Sequence, residues 1–244
     1  MQNQFNIQNY LKQEVTQSKS LLKEMKKHST KDLNHKLRVS IRRIRTVLQL
    51  LQNDGKASLV KNDTKILKKI WKHLGQVRDF DVSEEIAEEN ELPSREIKQQ
   101  RKNADDKLQK DITKGEVKKL LTHLRKLTKN KSLEEVHPEP TINAIREKIK
   151  KLPLEIENMH MFRILLKKVR YLMEALKIED EEFKNYQNIL GELNDLKVFL
   201  ENQGESQRVR NAYKRQLEKA LSILEPASKL ALKSLEKAEK TLMH

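Results

Sequence analysis

One eleven-residue pattern occurs twice in this chain, as HKLRVSIRRIR from His35 to Arg45 and as HMFRILLKKVR from His160 to Arg170. It limits the fold more than any other feature. In alignment His35 meets His160, Arg38 meets Arg163, Arg42 meets Lys167, Arg43 meets Lys168 and Arg45 meets Arg170, while Val39 and Ile44 meet Ile164 and Val169. The leading cations are spaced three, four, three. At roughly 100° per residue this confines His35, Arg38, Arg42 and Arg45 to an arc of ~80° on a helix. Leu37, Ile41, Ile44, Leu48 and Leu51 fall on a separate face, as do Phe162, Leu165, Val169, Leu172, Met173 and Leu176 in the second copy. Burying each such chain is worth ~1.5–3 kcal/mol, so both segments are predicted to be helices tied into a bundle. Arg43 and Lys168 lie on the flank opposite the stripe, within reach of an anion around the helix or of solvent.

A second pair repeats in the same order. LGQVRDFDV from Leu74 matches LGELNDLKV from Leu190, aligning Gly75 with Gly191, Asp79 with Asp195 and Val82 with Val198. The chain therefore reads as two divergent copies of one helical unit, about 1–92 and about 95–244, forming one domain. Two copies can bring their cationic helices face to face around a pseudo-two-fold axis. Gly75, Gly191, Asp79 and Asp195 are read as architectural. Each aspartate would cap a helix after a glycine-led turn, or hold an arginine such as Arg78 in place.

Glycine and proline number five each, and no β-branched run alternates strictly, so the class is all-α. Helices are expected at 5–27, 32–52, 59–74, 77–90, 95–129 (with Gly115 a candidate interruption), 141–151, 155–177, 181–191, 193–202, 206–224 and 227–242. Gly75 is taken as a break, and Pro226 as a break or a kink. Leu11, Val15, Leu21, Leu22 and Met25 are candidate core residues of the first helix.

Lysine and arginine total 51 against 36 acidic residues, a net charge of +15, which draws anions. The absence of cysteine excludes disulfides, thiol nucleophiles and Cys-ligated zinc. MQNQFNIQNYLKQE lacks the layout of a signal peptide, and no segment approaches the ~20 apolar residues of a spanning helix, so a cytoplasmic protein with no membrane insertion is expected.

Lysine-rich helical surfaces are often merely solvated, but charge confined to one face and repeated in register calls for a ligand. Phosphates offer several acceptor oxygens each, and arginine presents a planar fork that fits them. A row of such cations suits a linear phosphate polymer better than a single small anion, and each phosphate neutralised releases counterions. His35 and His160 would contact or orient the anion, coupling its binding to protonation.

The segments NHKLRVSIRRIRTVLQLL, LGQVRDFDV, HMFRILLKKVRYLMEAL and LGELNDLKVF together resemble the CHAD family, the conserved-histidine alpha-helical domain. The likeness spans essentially the whole chain. It implies two pseudo-symmetric bundles of about four helices, a central cleft lined by basic residues, and non-catalytic binding of inorganic polyphosphate, in some members at polyphosphate granules. The matching positions are His35, Arg38, Arg42, Arg43 and Arg45 in the first copy, and His160, Arg163, Lys167, Lys168, Arg170 and Tyr171 in the second. The lysine-rich, apolar-poor stretch around 95–118 departs from the family pattern. Many members are fused to a triphosphate-tunnel domain. EIENM at 155–159 falls short of that domain's alternating Glu-x-Glu-x-Lys signature, so no fused catalytic domain is expected.

Nucleic-acid binding is the main alternative, as a general polyanion reading. Only 4% of residues are aromatic and no helix-turn-helix spacing is evident, which leaves weak residual affinity as the expectation. Phosphohydrolysis would require clustered carboxylates for a metal, or a nucleophile with its base. The cationic faces carry neither, so no catalytic residue, metal or cofactor is assigned. An adaptor docking an acidic protein is the third reading.

Overall fold

Thr30 starts the first cationic helix, its Oγ1 accepting the Leu33 N–H at 3.2 Å, with Asp32 in the first turn. The helix ends at an Asn53–Asp54–Gly55 turn in which Gly55 takes φ 76°, a conformation that favours glycine. Such local signals recur along the chain. The computed structural model describes residues 7–178, 181–204 and 206–242. In chain order the helices are α1 (Ile7–Met25), α2 (Lys31–Asn53), α3 (Lys61–Glu89), α4 (Arg95–Thr113), α5 (Gly115–Leu127), α6 (Glu139–Lys151), α7 (Met159–Ala175), α8 (Glu181–Gln203) and α9 (Gln207–Leu242). No strand occurs among the described residues. The expected start of the first helix at residue 5 lies outside them.

The expected core residues are where periodicity puts them. Leu11, Val15, Leu21, Leu22 and Met25 of α1 are buried, as are Leu37, Ile41, Ile44, Leu48 and Leu51 of α2. So are Phe162, Leu165, Val169, Leu172 and Met173 of α7, with Leu176 just after it.

Two expected breaks are absent. Gly75 lies inside a continuous α3 and Gly191 inside a continuous α8, so Asp79 and Asp195 are mid-helix and cap nothing. A lone helical glycine costs only ~1 kcal/mol, which the burial of Leu67, Ile70, Leu74 and Val77 on one face of α3 outweighs. α9 likewise runs through Pro226. A proline costs a helix interior ~3 kcal/mol, but Ala220, Leu224, Ala227, Ala231, Leu235 and Ala238 form one buried stripe across it. Gly115, in contrast, does mark a junction: extended backbone at Lys114 (ψ 147°) separates α4 from α5.

The described helices group into two compact units. The first holds α1, α2, α3 up to Glu85, α4 and α5; the second holds the last turn of α3 and α6 to α9. In the first unit α1 packs along α2, and α5 against α1. A buried polar network joins α1 to α2: Ser40 Oγ donates to Glu14 Oε2 at 2.7 Å, Ser18 and Ser40 hydroxyls lie 2.9 Å apart, and Arg43 Nη1 donates to Glu14 Oε1 at 3.1 Å. The polar α4 is fastened by charge. Arg101 Nε reaches the buried Asp81 at 2.9 Å, and the buried Asp111 carboxylate draws in His73 at 2.5 Å, Lys114 at 2.7 Å and Lys69 at 3.4 Å. Its partner α5 is tied to α3 by His123 Nδ1, 2.6 Å from Asp63 Oδ2.

In the second unit α8 packs along α9, and α7 touches α6, α8 and α9. Gln187 of α8 donates to the Leu166 carbonyl at 3.1 Å, and Gln216 of α9 to that of Ile189 at 3.0 Å. Among the described residues no helix is long and apolar enough to cross a membrane.

Candidate functional site

The α2 stripe faces α3. Because α3 is unbroken, Trp71, Gly75 and Arg78 share one helical face, spanning an arc of roughly 60°. The guanidinium carbons of Arg38, Arg42 and Arg45 lie 4.6, 5.0 and 5.2 Å from the centroid of the Trp71 ring. An indole face attracts a cation within about 6 Å, so the ring offsets part of the repulsion among the three charges. Gly75 leaves room beside them: a Cβ there would stand 3.4 Å from Arg38 Nη1.

His35 begins the stripe. Desolvation, and then the charges of Arg38, Arg42 and Arg78, lower its pKa below the usual 6.5, with Asp32 opposing. Crowding by protein atoms and the Arg42 charge likewise depress the pKa of Arg45, although its side chain stays open to solvent. Arg78 has Asp79 Oδ1 at 3.7 Å, so that aspartate sits beside an arginine and caps no helix. Arg43 stands apart from this row, turned toward Glu14 of α1, whose side chain is 7% exposed.

The α7 stripe is built differently. His160 Nδ1 lies 3.2 Å from Asn194 Oδ1 of α8, and Asn194 Nδ2 donates to Asp195 at 3.5 Å. Arg170 stacks on Tyr171 with its guanidinium carbon 4.7 Å from the ring centroid, and donates to the buried tyrosine's hydroxyl at 2.7 Å. Arg163, Lys167 and Lys168 are half-buried on α7.

Sequence reasoning placed the stripes but missed Trp71 and Asn194, and saw Arg78 only as a partner for Asp79. The signal was present. Trp71 precedes Gly75 by four residues and Arg78 follows it by three, one helical face. Reading Gly75 as a break hid that period. Among the described residues no group of three or more His, Asp or Glu side chains could hold a metal ion.

Fold and site thus define a basic, all-helical domain with arginine-rich helix faces. The CHAD domain family model matches residues 16–202, and the chain belongs to that family, one of generally non-catalytic helical domains. Among solved structures it is similar to PptA from Streptomyces chartreusis, at 14% identity and TM-score 0.64, covering 96% of this chain and 98% of that one. It is also similar to the CHAD domain from the plant Ricinus communis, at 16% identity and TM-score 0.62, covering 98% and 90%. These likenesses show the fold. No curated protein matches the chain in sequence.

Proposed function

We propose that this chain binds inorganic polyphosphate without cleaving it, through the cationic stripes of α2 and α7. His35, Arg38, Arg42 and Arg45 form the first contact row, and His160, Arg163, Lys167 and Arg170 the second; Arg43 and Lys168 contribute from the flanks. The observation that carries this reading is the row of three guanidinium groups gathered on one ring at 4.6–5.2 Å. Like charges held this close favour a ligand with closely spaced negative charges along its length. Recurrence of the pattern on α7 and membership of the CHAD family support it. The protein is expected in the cytoplasm, at polyphosphate granules where these form.

The test is calorimetry with orthophosphate, triphosphate and long-chain polyphosphate, and with single- and double-stranded DNA at matched salt. Affinity per site should rise with phosphate chain length and fall as salt increases. Nucleic acid should compete weakly for the same cations. Equal affinity for all three phosphates would defeat the reading. DNA binding as tight as polyphosphate binding would make general polyanion capture the better description, and release of orthophosphate would show an enzyme.

A further inference from the structure

We propose that Trp71 is a positioning residue: its indole holds Arg38, Arg42 and Arg45 as a pre-ordered row, and this makes the α2 stripe the one that selects linked phosphates over isolated ones. The inference rests on the polyphosphate reading above and assigns that selectivity to one of the two stripes.

A free arginine side chain samples many rotamers, and ordering three of them at the moment of binding weakens affinity. Guanidinium groups stacked on an aromatic ring have already lost much of that freedom, while their planar edges still offer N–H forks to phosphate oxygens. All three lie within 5.2 Å of one ring centroid. They come from positions i, i+4 and i+7 of α2, backbone sites spread over roughly 10 Å of helix axis, so three separate guanidinium groups meet at the ring. An isolated orthophosphate cannot engage the full row; a chain of linked phosphates can. Gly75, one turn beyond Trp71, leaves the space beside the Arg38 guanidinium.

The α7 stripe is built on other residues. Four residues before Gly191, where Trp71 stands before Gly75, the chain has Gln187. That side chain is buried, and its amide is committed to the Leu166 carbonyl at 3.1 Å. Lys167 replaces Arg42, a compact charge in place of a planar fork. Arg170 stacks on the ring of its own neighbour Tyr171, on the same helix, whereas the Trp71 ring comes to the first stripe from another helix.

The full chain suits the test because Trp71 is its one tryptophan. Emission of the parent is followed on titration with orthophosphate, triphosphate and long-chain polyphosphate, and affinities of Trp71→Phe, Trp71→Leu and Gln187→Leu are measured by calorimetry beside melting temperature. Parent emission should change saturably with triphosphate, at the affinity calorimetry gives. Trp71→Phe should retain affinity within about threefold, and Trp71→Leu should lose about tenfold for triphosphate. Its salt dependence should stay that of the parent, because no cation is removed, whereas Arg42→Ala should flatten the log–log slope by about one. Gln187→Leu should leave triphosphate affinity unchanged. Unchanged parent emission at saturation overturns the role of Trp71, as does a folded Trp71→Leu that binds like the parent. If Trp71→Leu does not fold, the emission titration decides alone. A parent that binds neither triphosphate nor polyphosphate sinks the functional reading itself, a result distinct from both.

Discussion

His160 Nδ1 lies 3.2 Å from Asn194 Oδ1. Where the second copy has Asn194 the first has Arg78, one of the cations that depress the His35 pKa. The same histidine is thus hydrogen-bonded to a neutral amide in one unit and set among guanidinium charges in the other.

Acid should therefore act through His35. Its folded-state pKa is below the 6.5 of an unperturbed histidine. As pH falls through 6.5 toward that lower value, the unfolded chain takes up a proton first, so stability decreases with falling pH across this window. His35→Asn should flatten the dependence, as read from urea midpoints between pH 7 and pH 5. In the parent, polyphosphate should raise the His35 pKa. Proton uptake on binding near pH 6, measured by calorimetry in buffers of different ionisation enthalpy, should then exceed that of His35→Asn.

Charge position should matter more than charge number. Replacing Arg38 and Arg163 by alanine removes two guanidinium groups from the stripes, each charge-assisted contact being worth ~1.5–3 kcal/mol where desolvated. Polyphosphate affinity should drop by about a hundredfold or more, with helix content retained by circular dichroism. Removing Lys102 and Lys118, both exposed on α4 and α5, changes the net charge equally and should cost little. Equal losses from the two pairs would indicate diffuse electrostatic attraction.

Glu14 should prove a stability residue. Its buried carboxylate accepts from Ser40 and Arg43, and Glu14→Ala leaves both without it. A loss of about 2–3 kcal/mol is expected, below the figure for a fully buried pair because the Arg43 side chain is 28% exposed. Arg43→Ala should also destabilise, by leaving the carboxylate buried, whereas Arg42→Ala should not. Denaturant midpoints measure all three.

Gly191→Ala should stabilise by about 0.5–1 kcal/mol, the helix-propensity difference. A Cβ there meets nothing within 4 Å. At Gly75 the new methyl would stand 3.4 Å from the end of a flexible arginine, an ordinary contact, so a gain is expected there too. Lower melting temperatures in both variants would mean that the glycines serve the backbone in a way the helical geometry does not show.

Helical class, the buried faces of α1, α2 and α7, and the two cationic stripes were all legible in the order of residues. Each depends on a local period: side chains three and four apart share a face whatever the helix packs against. Local chemistry failed where it conflicted with packing. Gly75 and Gly191 read as breaks and Pro226 as a break or a kink, yet apolar stripes on both sides keep the helix running through Gly75 and Pro226, and burial outweighs the local penalty. That continuity also decides the surroundings of the first stripe, by turning Trp71, Gly75 and Arg78 to one face of α3. Which side chain of another helix meets a given cation depends on tertiary contact. Arg43 against Glu14, Arg38 over Trp71 and His160 against Asn194 join residues 29, 33 and 34 positions apart in sequence. No local period relates residues on different helices, so only the packing of those helices could settle these pairings.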